Sequence, residues 1–107
     1  MLNSVTVIGA LKARSSIDKR VRYLEIERYY SNFKDSIIKD EIPLMNWNKE
    51  PKGEIFSLPN GSLVAIRGRL EVIDRLLVIV VETITYLGLK YYKMRKVWKG
   101  VLELFLK

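Results

Sequence analysis

Residues 60–70, N-G-S-L-V-A-I-R-G-R-L, constrain the fold more than any other stretch of the chain. The turn pair Asn60-Gly61 begins a strand, and side chains alternate across a strand. Two faces follow from this alternation, an inward face with Val64, Ile66, Gly68 and Leu70 and an outward face with Leu63, Ala65, Arg67 and Arg69. A glycine in the inward set indicates a bulge or a sharp bend. The stretch therefore predicts a strand that bends over the core of a small closed β-barrel and holds two arginines toward a polyanion.

The residue types that most often carry catalysis are missing. The 107 residues are enough for one domain with its own core, and they include no cysteine and no histidine. Disulfides, thiolate metal sites, a histidine general base and a histidine metal ligand are therefore excluded. Carboxylates could still bind magnesium, as in a nuclease, but no clustered acidic pair stands out. We expect no enzyme, no metal and no cofactor.

Positive charge is concentrated near the C-terminal end of the sequence. Lysine and arginine number 19 against 12 acidic residues, which gives a net charge of +7. Residues 89–107 carry six basic and one acidic side chain, so residues 1–88 hold only +2. A basic balance favours nucleic acid or an anionic membrane surface as a partner. We expect a nucleic-acid-binding domain over residues 1–88 and a basic tail over residues 89–107.

The sequence predicts neither a secretory signal nor a membrane span. The longest apolar run, residues 76–81, has six residues, whereas a spanning helix needs about 20. We expect a soluble, cytoplasmic protein without membrane partners.

β-Branched residues and turn signals predict an all-β fold of five strands. We place the strands at residues 2–11, 21–30, 40–47, 62–73 and 76–86. Pro43 indicates an edge or a bulge, and Asp74-Arg75 a tight reversal. The fifth strand is apolar on both parities, so we expect both of its faces to be covered, one of them by a second subunit if the chain is an oligomer. With a short helical turn over residues 53–58, this order matches the five-stranded oligonucleotide-binding (OB) barrel.

Four segments resemble bacterial single-stranded DNA-binding proteins. Residues 3–11 are similar to the opening N-x-V-x-L-x-G-x-L of that family, and residues 61–70 to its G-S-x-V-x-V-x-G-x-L strand. Residues 45–49 stand where the family has an aromatic followed by Gly-Lys, and residues 86–88 resemble the end of its last strand. The resemblance implies an OB-fold and sequence-independent binding and protection of single-stranded DNA in replication, recombination or repair. It also implies a homodimer or homotetramer. Replication or restart proteins are candidate partners, but the family's role in recruiting partners hardly transfers, because it depends on an acidic tail.

Three departures from the family pattern limit what the resemblance implies. The hairpin between strands four and five is reduced to Asp74-Arg75, and Asn48 replaces the glycine after Trp47. The chain also ends in a basic, aromatic segment where the family has an acidic tail. We expect a short variant without the acidic tail, whose mode of wrapping DNA differs from that of the family.

Aromatic side chains are the candidates for stacking on bases, which every base permits through its π-face. Trp47 is the first choice because it ends the third strand beside Lys49; the alternative is a tryptophan in the core. Tyr29, Tyr30 and Phe33 lie where the second strand enters its loop. Consecutive tyrosines on a strand point to opposite faces, so we expect at most one of the two to stack.

Basic side chains are the candidates for contact with phosphates. One group crowds the first hairpin and consists of Lys12, Arg14, Arg20 and Arg22. A second group flanks the aromatic candidates or lies on the outward face of strand four, and it consists of Arg28, Lys49, Arg67 and Arg69. The alternatives are ordinary solvated charges, or pairing of Arg67 and Arg69 with Glu25 and Glu27 across the sheet.

The tail is predicted to form an amphipathic helix. Its apolar residues fall at helical spacing, and they are Tyr91, Met94, Trp98, Val101 and Phe105. It could pack on a second subunit, add contacts to nucleic acid or bind a membrane surface, and we favour packing. For the whole chain, the alternatives to single-stranded DNA binding are a primosome component of the same fold and a structural or assembly protein. RNA as the ligand stays open.

Overall fold

The computed structural model describes residues 3–29 and 37–89. They form five strands and one short helix: β1 (Val5–Arg14), β2 (Arg22–Tyr29), β3 (Ile37–Asn46), α1 (Glu54–Ser57), β4 (Ser62–Ile73) and β5 (Leu76–Leu89). Tyr30, Phe33 and the predicted helix in the tail lie outside the described residues, as does the N-terminal start predicted for the first strand. No helix in the described part is long and apolar enough to cross a membrane.

The strands close into a barrel in the order β1-β2-β3-β5-β4. All neighbours are antiparallel except β3 and β5, which pair in parallel over three residues, from Leu44 with Ile79 to Asn46 with Val81. This strand order, with a short helix between β3 and β4, is that of the OB-fold, so the predicted fold class is confirmed.

The barrel interior holds the main core. Its fully buried side chains come from all five strands and α1, and they are Leu11, Leu24, Leu44, Ile55, Val64, Ile66, Ile79 and Val81. The predicted inward parity is correct for Val64 and Ile66 of β4 and for Leu24 of β2. The alternation of apolar residues therefore specified which face of these strands builds the core.

A second, smaller core lies on the opposite face of the sheet. It consists of Val21, Met45, Val78 and Val80, with Tyr23 and Ile73 packed against it. Val78 and Val80 of β5 belong to this outer core, while Ile79 and Val81 belong to the interior. Both faces of residues 78–81 are therefore covered within one chain, and no second subunit is required there. The expectation that both faces of the whole strand are covered is wrong at its ends, where Leu76, Leu77 and Tyr86 are exposed.

Two glycines let neighbouring strands approach closely. A Cβ on Gly68 would collide with the carbonyl of Val80, and one on Gly9 with the carbonyl of Glu25. The β4–β5 register shifts between Arg67 and Gly68, so the bulge predicted at this glycine is present, with its extra residue in β5. The close approach of β4 to β5 beside this bulge thus depends on the absence of a side chain at position 68.

The β4–β5 hairpin differs from its prediction beyond that bulge. Leu70, expected in the core, is 39% exposed, because β1 pairs with β4 only as far as Val5 opposite Gly68. Val72 and Leu77, which pair with each other, are 71% and 56% exposed. Asp74 and Arg75 form the predicted tight turn, and both have positive φ angles, as a two-residue hairpin turn requires. The hairpin therefore extends past the barrel and exposes one apolar face.

Candidate nucleic-acid interface

Trp47 follows the last residue of β3, where the chain turns away from the barrel. The turn is closed by a hydrogen bond from the Lys49 N–H to the Asn46 carbonyl, 2.8 Å. Asn46 also donates its side-chain amide to the Lys52 carbonyl, 2.8 Å, which fixes the loop that follows. The β3–β5 pairing stops at Asn46, one residue before Trp47, and the indole is 66% exposed. The alternative of a core tryptophan is wrong.

Trp47 forms one wall of a cleft of about 360 Å³, which we call the Trp47 cleft. Residues 81–84 of β5 line one side of the cleft, and residues 53–55, at the start of α1, line another. A flat aromatic face at the edge of a solvent-filled cleft is the geometry that base stacking requires.

A network of charges lies on the outer face of β4 beside this cleft. Arg69 pairs with Glu71 at 2.7 Å and with Glu82 at 3.4 Å, and Lys49 pairs with Glu71 at 3.0 Å. The hydrogen bonds from Lys49 and Arg69 hold the pKa of the Glu71 carboxyl below its ordinary value. The alternative partners expected for Arg69, Glu25 and Glu27, are not the ones it finds. Arg69 and Glu71 are two residues apart on one strand, so alternation alone could have indicated this pair.

Arg67 is the most available cation of this group. It pairs across the sheet with Thr6 of β1 and with Thr83 of β5, and Thr83 also lines the Trp47 cleft. Its side chain is exposed, and it forms no ion pair with any residue in the described ranges. An anion at Arg67 would therefore displace no acidic partner among these residues.

The cations of the first hairpin are placed quite differently. Lys12 lies 3.3 Å from the buried carboxylate of Glu25, and the Arg14 guanidinium stacks on the Phe56 ring at 4.4 Å. Both line a second cleft of about 670 Å³, which we call the hairpin cleft, together with residues 15–17, Tyr23, Glu41, Asn60 and Gly61. Arg14 is thus a contact between β1 and α1 as well as a surface charge.

Arg22 is a structural residue, contrary to its selection as a surface cation. It is 4% exposed, and its guanidinium donates hydrogen bonds of 2.6–2.9 Å. The acceptors are the carbonyls of Lys12, Ile55 and Leu58 and the side chain of Asn60. Burial lowers the pKa of Arg22, and the nearby charge of Arg14 lowers it further. Periodicity could not show this, because the acceptors belong to segments far apart in the sequence.

Two further arginines are engaged in ion pairs. Arg20 holds Asp18 at 2.8 Å and Asp74 at 3.2 Å, which ties the β1–β2 loop to the β4–β5 turn. Its hydrogen bonds lower the pKa of Asp18. Arg28, near the end of β2, pairs with Asp40 of β3 at 2.6 Å. Tyr29 is the last residue of β2. Arg20, Arg28 and Tyr29 belong to the β1–β2 loop and to β2, and neither of these lines the Trp47 cleft.

The outer face of β2 and β3 carries more negative charge than is expected of a face that binds oligonucleotides. Oligonucleotides commonly bind this face and its flanking loops in the fold. Here Glu25 lies opposite Glu41, and Glu27 opposite Lys39. Lys12 and Lys39 both approach Glu25, at 3.3 and 3.9 Å. Among the described residues at this face, two lysines stand against three carboxylates, so these residues provide no excess of positive charge for phosphates.

The structure thus separates the predicted residues into two groups. Trp47, Lys49, Arg67 and Arg69 come together around one end of β3 and the outer face of β4. Lys12 and Arg14 line the hairpin cleft, and the buried Arg22 is hydrogen-bonded to Asn60 of the same cleft. No protein-family model matches the chain, and no curated protein matches it.

Proposed function

We propose that this protein binds single-stranded DNA without sequence preference, with Trp47 stacking on a base and Arg67 contacting a phosphate. The observation that carries the proposal is the exposed indole at the edge of a cleft lined by β5. The neighbouring strand β4 holds Arg67 and Arg69 on its outer face, and Lys49 pairs with Glu71 of that strand. The OB-fold barrel and the similarity to bacterial single-stranded DNA-binding proteins support it.

The free energy gained by stacking a base on Trp47 should exceed the cost of exchanging the ion pairs beside it. Stacking on an aromatic side chain contributes about 1–3 kcal/mol per base. The ion pairs of Lys49 and Arg69 with Glu71 lie at the surface, where such pairs contribute little, so exchanging a carboxylate for a phosphate costs little. Arg67 needs no such exchange within the described residues.

Fluorescence titration tests the proposal. In a Trp98→Phe background, Trp47 is the single tryptophan, and oligo-dT should quench its emission. Affinity should fall as salt rises, by roughly 0.7 log units per log unit of salt for each phosphate neutralised, and Arg67→Met should lower this slope by about that amount. Lys19→Met, a variant of an exposed residue in the first loop, serves as the matched control. Equal or tighter binding to duplex DNA would overturn the proposal, and parallel titration with oligo-U measures preference for RNA.

One observation favours a second candidate function, assembly through the barrel. The β4–β5 hairpin exposes an apolar face formed by Leu70, Val72 and Leu77. Exposed apolar patches of this kind mark protein contacts. If assembly is the function, sedimentation equilibrium should show a stable oligomer that Val72→Lys dissociates, and the protein should not bind oligo-dT at low salt.

A further inference from the structure

β5 has an edge that no strand covers in the part of the chain that the structure describes. Its pairing with β3 ends at Val81, yet β5 continues through residues 82–89. That stretch, E-T-I-T-Y-L-G-L, has a single charge and no proline. Open edges with so few charges are prone to pair with other chains, and proteins commonly protect them by covering them with a helix or a loop.

The Trp47 cleft lies at the start of this edge, and it is acidic as well as aromatic. Glu54 and Glu82 both line it. Glu82 shares its charge with Arg69 at 3.4 Å, whereas Glu54 makes no ion pair with any described residue. Carboxylates beside an exposed indole suit a segment that carries both cations and apolar side chains, through charge-assisted hydrogen bonds and cation–π contact.

Residues 90–107 have this chemistry and begin where β5 ends. They carry six basic side chains and one acidic one, with apolar residues at helical spacing between them. The distance along β5 from Leu89 back to Glu82 is seven residues, or about 23 Å. Eighteen helical residues would span about 27 Å, so the segment is long enough to reach the cleft of its own chain.

We propose that residues 90–107 fold back along the open edge of β5 and dock in the Trp47 cleft of the same chain. The cations of the segment pair with Glu54 and Glu82, and its apolar stripe covers Trp47. This contact requires no nucleic acid, and it holds or fails independently of the proposed DNA binding.

The test uses the full-length chain with Trp98→Phe and no oligonucleotide present. Quenching by acrylamide, a neutral reagent, reports the accessibility of Trp47. Reversing the charge of the segment with Lys93→Glu, Lys96→Glu and Lys99→Glu should raise the quenching constant. Reversing the cleft with Glu54→Lys and Glu82→Lys should raise it as well, and combining both sets should restore the original value. Glu41→Lys, in the hairpin cleft, is the matched control and should change nothing.

Hydrogen exchange provides a second measurement that keeps both tryptophans. Amide exchange across residues 83–86 should become faster by roughly two- to thirtyfold when the segment charge is reversed, the range expected for two exposed ion pairs. The proposal is overturned if neither measurement responds to the reversals, or if Glu41→Lys has the same effect. It is also overturned if dilution alone exposes Trp47, because the segment would then come from a second chain.

Discussion

Arginines lie beside both the Trp47 cleft and the hairpin cleft, but they have different roles. Arg14 lines the hairpin cleft and stacks on Phe56, and Arg22, hydrogen-bonded to Asn60 of that cleft, is buried on main-chain carbonyls. Beside the Trp47 cleft, Arg67 and Arg69 project from the outer face of β4. The first pair holds α1 against the barrel. In the second pair, Arg67 is exposed and has no ion pair among the described residues, whereas Arg69 is held by Glu71 and Glu82. A high density of basic residues in the sequence therefore does not show whether those residues bind a ligand or stabilise the fold.

Removing Arg22 should have the largest effect, and the effect should be on stability. Arg22→Met leaves the carbonyls of Ile55 and Leu58 without their donor, at an expected cost of about 3 kcal/mol in the free energy of unfolding. Arg67→Met, the matched change on the exposed side, should alter the free energy by about 0.5 kcal/mol or less. Urea denaturation followed by circular dichroism measures both. If the two variants lose the same free energy of unfolding, Arg22 does not stabilise the fold in the way that its hydrogen bonds indicate.

Removing Trp47 should produce the converse pattern, a loss of affinity with little loss of stability. Trp47→Leu should weaken binding of oligo-dT by about 1–3 kcal/mol, or roughly 5- to 150-fold, because one stacked base is lost. Since the indole is largely exposed, the free energy of unfolding should change by about 0.5 kcal/mol or less. Fluorescence anisotropy of a labelled oligonucleotide measures the affinity. Phe56→Leu, at the ring beneath Arg14, is the matched control, and an equal loss of affinity there would shift the interface to the hairpin cleft.

The fold could be predicted from the sequence because it depends on local patterns. Alternation specified the core residues Val64 and Ile66, the Asp74-Arg75 turn specified the β4–β5 hairpin, and Gly68 marked the bulge. Where the pattern was wrong, the cause was not local. Leu70 has inward parity, but β1 begins too late along the barrel to cover it.

The candidate site could be predicted only in part. Exposure of Trp47 depends on where the β3–β5 pairing stops, and burial of Arg22 depends on carbonyls more than thirty residues away. Neither the exposure of Trp47 nor the burial of Arg22 can be predicted from the alternation of residues along a single strand. Glu82 lies near Arg69 only because of the register of β4 and β5. Apart from the pair of Arg69 with Glu71, the charge network beside the cleft could therefore not be predicted from the sequence.

Glu71 should give the smallest effect, and it tests whether the charge network beside the Trp47 cleft forms in solution. Its pKa is lowered by Lys49 and Arg69, so it stays charged in the folded protein at a pH where the unfolded chain takes up a proton. The stabilisation is therefore complete above the ordinary pKa of glutamate and disappears as pH falls through the lowered pKa. Glu71→Gln should remove this acid dependence and slightly increase affinity for oligo-dT at neutral pH, because Lys49 and Arg69 lose a competing carboxylate. Glu41→Gln, which removes a carboxylate without an ion pair among the described residues, should do neither. Denaturation from neutral to acidic pH, with matched titrations, measures both effects; an unchanged pH profile in Glu71→Gln would mean that the network does not hold its cations in solution.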